Sequence, residues 1–163
     1  MGRMGRGHAV FRRYSFVRQD DQSDCGAAAL ATVALHYRRS ISVQQLRDLT
    51  GTDRIGTNLP GMVRAAEKLG FAAKGVRATY DGLSTATLPA IAHVRTGEGL
   101  GHFVVLHRIT GRAVTLADPA HGIERWSRDA FCQRWTGYLL LVQPAQNVPA
   151  PPSWFRNAAA GPR

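Results

Sequence analysis

Cysteine is scarce in this chain, with two thiols in 163 residues, which excludes a disulfide framework and leaves each Cys to be judged as a free thiol. Long apolar runs are missing too. The longest, Ala27 to Leu35, is about half of the roughly 20 residues that cross a bilayer, so no membrane-spanning helix is expected. The opening MGRMGRGHAVFRRYS has Arg residues but no apolar stretch of about 7–15 residues before a small-residue cleavage site, so it does not read as a secretory signal, and the cytoplasm is the default compartment. Acidic residues are few: 11 Asp+Glu stand against 21 Lys+Arg, for a formal charge of +10. The excess resembles a nucleic-acid signature until it is divided along the chain. Residues 1–13 and 145–163 hold six Arg and no acid, whereas residues 14–144 carry 15 basic against 11 acidic residues, a net of +4. With no block of like charge and no basic–aromatic interleaving, nucleic acid is not an expected partner. The mild positive surface suits acidic partners, including acidic peptides.

What is present is the composition of one globular domain, 44% hydrophobic and 20% charged. The organisation read from it is a basic tail over 1–13, a folded part over 14–144, and a Pro/Ala-rich linker or tail over 145–163. Cys25 to Tyr37 is Ala-rich, with Leu30, Val33, Ala34 and Tyr37 at helical spacing and Asp24 as the expected N-cap. A second helix is expected from Ser42 to the Gly51 stop, and a third from about Pro60 to Leu69 with Gly70 behind it. After Gly70 come β-rich runs in succession, FAAKGVR, LPAIAHV, HFVVLHRI, RAVTLAD and GYLLLV, with a short helix, SRDAFCQRW, before the last. Helices first and a largely antiparallel sheet second make an α+β domain.

Cys25 follows directly on a predicted helix N-cap, where unpaired backbone N–H groups and the positive end of the helix dipole favour a thiolate. Alone, it would be read as a small core residue. His102 opens a strand behind the glycine-rich TGEGLG loop, and Asp118 ends the next strand, just before Pro119. A tight turn at Thr110 and Gly111 makes facing residue numbers sum to about 221, and His102 and Asp118 sum to 220. Cross-strand neighbours lie about 5 Å apart, within reach of a carboxylate that accepts from an imidazole N–H and fixes its tautomer. A Cys, a His and an Asp that orients the His are the parts of an activated thiol nucleophile. Gln19, six residues before Cys25, can offer a side-chain amide to a developing oxyanion.

The run Gln19-Asp20-Asp21-Gln22-Ser23-Asp24-Cys25-Gly26, the GHFVVL stretch around His102, and Asp118-Pro119 sixteen residues after the His resemble the bacteriocin-processing, double-glycine leader peptidases. These are papain-like cysteine peptidases, usually the N-terminal cytosolic domain of peptidase-containing ABC transporters. The resemblance covers about residues 14–144. It implies a papain-like fold with N-terminal helices packed on a mainly antiparallel sheet. It also implies that Cys25 is the nucleophile, His102 the general base, Asp118 its orienting residue and Gln19 the oxyanion stabiliser. One departure is Ala29, where relatives often carry a second Cys; the position lies outside the catalytic set.

The implied activity is cleavage of a leader from a bacteriocin-like or other secreted precursor peptide after a Gly-Gly or Gly-Ala pair, coupled to export. The implied partners are that precursor and the transmembrane and nucleotide-binding parts of an ABC transporter, in cis or in trans. The implied place is the cytoplasm, at the inner face of the cell membrane. No cofactor is implied for the peptidase, ATP belonging to the transporter. Two other classes remain open: a non-catalytic leader-binding domain, which has no use for the complete set of four residues, and a transferase or other thiol hydrolase on the same fold. Of the other candidates, Cys132 is read as core packing beside Phe131 and Trp135. His36, His93 and His107 have no metal-ligand spacing, so no metal is implied. His121 is read as a solvated loop residue in preference to part of a cleft rim.

Overall fold

The protein is described over residues 14–52 and 56–146 in a computed structural model. The basic tail over 1–13, and all but the first two residues of the proposed C-terminal tail, lie outside the described residues. Three helices come first: α1 over Cys25–His36, α2 over Val43–Thr50 and α3 over Leu59–Lys68. Local chemistry sets their ends. Ser42 caps α2 reciprocally with Gln45, and Gly51 closes it in the left-handed conformation at φ 68°. Asn58 caps α3 through the Gly61 N–H, with Pro60 in its first turn. α1 has little amphipathic character: its Ala-rich residues 25–34 are all buried, because the helix is enclosed by α2, α3 and the sheet.

The strands are β1 over Phe71–Arg77, β2 over Ala90–Arg95, β3 over Gly101–Ile109, β4 over Ala113–Asp118, β5 over Gly122–Ser127 and β6 over Trp135–Pro144. The short helix α4, Arg128–Arg134, is capped by Ser127. All strand pairs are antiparallel in the order β1-β6-β2-β3-β4-β5. Alternation divides the sheet between two cores. Ile91, Phe103, Val105, Ala117, Leu140 and Val142 pack with the three helices, while Ala92, Val94, Val104, Leu106 and Leu116 pack with Tyr80, Leu83 and Phe131. The arrangement is the expected one, N-terminal helices packed on a mainly antiparallel sheet in an α+β domain.

Several local expectations are corrected. β5 is absent from the sequence reading because GIERWS is charged and only half-buried, an edge strand held by β4 alone. The β3–β4 turn is centred on Gly111 and Arg112, since the Thr110 N–H donates to the Ala113 carbonyl at 2.9 Å. A bulge at His107 then shifts the register, so Val105 faces Ala117 and Ile109 faces Val114. Cys132 is exposed; it is Phe131 that fills the core, fully buried between the Trp126 and Trp135 rings.

Candidate active site

Cys25 is the first residue of α1 and only 6% exposed, so its backbone N–H is one of those without a partner inside the helix. The turn before it is built by side chains. Asp21 caps the 3-10 turn Gln22–Asp24 by accepting from the Ser23 N–H at 2.7 Å, and the Asp21 N–H donates to Asp24 Oδ2 at 3.1 Å. Asp24 therefore does not cap α1 as expected. Its buried carboxylate turns back to Asp21 and takes an ion pair from Arg47 of α2 at 3.0 Å. The lead-in to Cys25 is thus pinned to the neighbouring helix. Behind Cys25, Gly26 permits the close approach of the 56–58 segment, because a Cβ there would lie 2.8 Å from Thr57 Cβ.

His102 and Asp118 are buried, at 9% and 3% exposure, and are joined by an Nε2–Oδ1 hydrogen bond of 2.7 Å. The observed register makes them diagonal rather than directly opposite neighbours, and their side chains span the offset. Asp118 Oδ1 also accepts from the Ala120 N–H at 2.8 Å, so this carboxylate oxygen is fixed by its own turn. Because Nε2 faces Asp118, Nδ1 is the nitrogen left to face the Cys25 side chain, which lies close enough to favour the charged imidazole.

Burial opposes charge on His102, but the Asp118 hydrogen bond and the Cys25 contact outweigh it and raise the imidazole pKa to about 9. Burial likewise disfavours the Asp118 carboxylate, yet the His102 hydrogen bond and the Ala120 N–H bring its pKa down to about 2. Both shifts contain the same contact seen from its two ends, so they do not add. An imidazolium held against a carboxylate and beside a thiol is the electrostatic arrangement that stabilises a thiolate.

Gln19 reaches the same place from the N-terminal arm. Its backbone N–H donates to the Pro119 carbonyl at 3.0 Å, tying it to the turn that carries Asp118. Its side-chain oxygen is buried without a hydrogen-bond partner. Gln19, His102, Asp118 and His121 line a cleft of about 560 Å³ whose further wall includes Arg95, Leu100 and Trp126. A peptide carbonyl held here would meet an imidazole and an amide, with the Cys25 side chain beside the same imidazole, the set needed for acyl transfer through a thioester.

The four residues singled out in the sequence come together. Of the other described histidines, His93 and His107 do not join them. His107 is bonded to the Ser15 carbonyl at 2.9 Å and packs on Tyr14, with burial pushing its pKa down to about 4. His93 is tied to Thr136, and burial also lowers its pKa. His121 is the solvated loop residue expected, and it also lines the cleft, with its Nδ1 3.1 Å from Asp118 Oδ2. The signal for this was the i,i+3 spacing from Asp118 across a Pro turn closed by Gly122. The Asp24–Arg47 pair was not legible at all, since the partners are 23 residues apart on different helices.

The model of the peptidase C39 family matches residues 13–147. The lactococcin-G-processing and transport ATP-binding protein LagD of Lactococcus lactis subsp. lactis is 38% identical over 130 residues, 78% of this chain and 18% of LagD. The chain thus spans less than a fifth of the length of that relative. The crystal structure of the peptidase domain of Streptococcus ComA, a bifunctional ABC transporter in a quorum-sensing pathway, superposes with a TM-score of 0.76 at 36% identity, covering 81% of this chain and 99% of that one. A double-glycine-motif protease from an AMS/PCAT transporter, solved with its leader peptide, gives a TM-score of 0.75 at 32% identity, over 81% and 92% of the two chains.

Proposed function

This chain belongs to the peptidase C39 family, a family of cysteine peptidases, and we propose that it removes the leader from a secreted precursor peptide by cutting after a Gly-Gly or Gly-Ala pair. The observation that carries this reading is the 2.7 Å His102–Asp118 hydrogen bond beside Cys25 at a helix N-terminus. The Cys25 thiolate attacks the carbonyl carbon of the scissile bond. The oxyanion that forms accepts from the Gln19 side-chain amide and the Cys25 backbone N–H. Protonated His102 gives its proton to the leaving amine, the C–N bond breaks, and the leader stays on sulfur as a thioester. The imidazole then takes a proton from water, which hydrolyses the thioester and returns the thiolate. Asp118 keeps the proton on Nε2 and stabilises the imidazolium throughout. No step requires a metal or a cofactor.

The substrate assignment draws on the relatives. LagD is named for processing lactococcin G, and the AMS/PCAT protease is described as acting at a double-glycine motif. Small residues at the cut are what a channel over the nucleophile too narrow for a β-carbon would select, with the leader read farther away. Partnership with the membrane and nucleotide-binding parts of an ABC transporter, in cis or in trans, and a site at the cytoplasmic face of the membrane belong to the same proposal. Among the described residues no helix is long and apolar enough to cross a membrane.

The test is covalent capture. A leader peptide ending in Gly-Gly with a C-terminal chloromethyl ketone should alkylate Cys25, with loss of chloride, and leave exposed Cys132 unmodified. Preferential labelling of Cys132, or equal labelling of both thiols, would overturn the assignment of the nucleophile.

A further inference from the structure

Asp118 carries two histidines, and the peptidase chemistry derived above uses one of them. Oδ1 is held twice, by His102 Nε2 at 2.7 Å and by the Ala120 N–H at 2.8 Å. Oδ2 is held by His121 Nδ1 at 3.1 Å. Because a carboxylate only accepts, His121 must donate from Nδ1 in this contact. The loop that presents His121 is itself restrained. The His121 N–H donates to the Asp118 carbonyl at 3.0 Å, Arg18 donates to the Ala120 carbonyl at 3.0 Å, and the Gln19 N–H donates to the Pro119 carbonyl at 3.0 Å. The imidazole is therefore delivered to the carboxylate by a turn tied to the arm that also carries Gln19. The His121 side chain is 67% exposed and lines the cleft, so no burial requirement explains where it sits.

We propose that His121 is a positioning residue for the reaction, locking the second oxygen of Asp118 so that the first stays aimed at His102 Nε2. The two bonds on Oδ1 already resist rotation about Cβ–Cγ; the His121 contact adds a third restraint on the other oxygen, so that any rotation breaks bonds at both ends of the carboxylate. The consequence falls on His102, whose ring orientation and proton placement are set by Oδ1, and through it on transfer of the proton to the leaving amine. His121 does not touch the reacting atoms in this scheme. The inference rests on the peptidase reading for its kinetic consequence and on geometry alone for its structural one.

Both are read in the same set of proteins: wild type, His121→Ala and His121→Asn. Asn places an amide N–H close to where Nδ1 stands and is the conservative replacement. With a Gly-Gly leader peptide as substrate, His121→Ala should lower kcat about three- to tenfold, the weight of one partly exposed hydrogen bond, with KM changed less than about twofold. His121→Asn should recover kcat to within about twofold of wild type. The nitrogen chemical shift of His102 Nε2, read by NMR without substrate, should move in His121→Ala and return in His121→Asn. Unchanged kcat and an unchanged His102 shift in His121→Ala would overturn the proposal, as would an equal rise of KM in both variants at constant kcat, which marks His121 as a rim contact to substrate. If the wild-type chain cleaves no leader peptide, the peptidase reading fails, and the His102 nitrogen shift still decides whether His121 positions Asp118.

Discussion

Replacing Asp118 by Asn removes a charge while keeping a shape. The Asn side-chain oxygen can still accept from His102 Nε2 and from the Ala120 N–H, as Asp118 Oδ1 does at 2.7 and 2.8 Å. The lost quantity is the carboxylate's hold on the imidazolium. With the wild-type His102 pKa at about 9, ~90% of the imidazole is protonated at about pH 8. An Asp118→Asn protein in which that value has come down to about 7 keeps ~10% protonated at the same pH, yet ~90% at about pH 6. Leader-peptide cleavage by the variant should therefore fall roughly tenfold more at about pH 8 than at about pH 6. The assay is kcat/KM across the neutral and alkaline range, in which the alkaline limb should move toward lower pH. An alkaline limb that overlays the wild type, whatever the absolute rate, would refute the claim that Asp118 holds the proton on His102 and would leave it as a cap for the turn before Pro119.

The same shift makes a stability prediction. His102 is raised from 6.5 to about 9, so its contribution, about 3 kcal/mol at most, is fully present below about pH 6.5 and lost as pH rises through about 9. Thermal melts should lose midpoint over that window in wild type and lose less in Asp118→Asn. Cys25→Ala should abolish cleavage and leave the melting temperature nearly unchanged, since the site is an Ala-rich helix and only a sulfur is removed. Cys132→Ser should retain activity and shift stability by no more than about 0.5 kcal/mol, as expected for an exposed position. Gly26→Ala should cost about 1–3 kcal/mol, read by chemical denaturation, because the new methyl group meets Thr57 and Met62.

Much of this protein is legible in its sequence because local chemistry governs it. Ser42 with Gln45, Pro60 in its first turn and Gly51 behind α2 each act within a few residues, and the helices begin and end at or within a residue or two of where they indicate. The Cys–His–Asp–Gln set is legible because a Cys at a helix start and a His and an Asp at hairpin ends are spacing statements. What escaped depends on contacts distant in sequence. The bulge at His107 changes the pairing, and that residue is bonded to Ser15, 92 residues away. Asp24 has the residue type of an N-cap, but Arg47 and the Asp21 N–H compete for its carboxylate and win. Cys132 and Phe131 are adjacent on a helix of seven residues, too short for its period to say which one faces inward. β5 has no fully buried residue and no apolar run, so its six residues carry no strand signal of their own.

If Cys25, His102, Asp118 and Gln19 form a working peptidase centre for leader removal, the chain cuts a precursor peptide at one bond and loses that activity with the Cys25 sulfur. Mass spectrometry of a precursor peptide carrying a double-glycine leader, incubated with the wild-type chain and with Cys25→Ala, tests it most directly. Wild type should give two fragments, separated after the Gly-Gly or Gly-Ala pair, and Cys25→Ala should leave the precursor intact. Equal cleavage by both proteins, cleavage at another bond, or intact precursor with a wild-type chain that still binds the leader would contradict that reading.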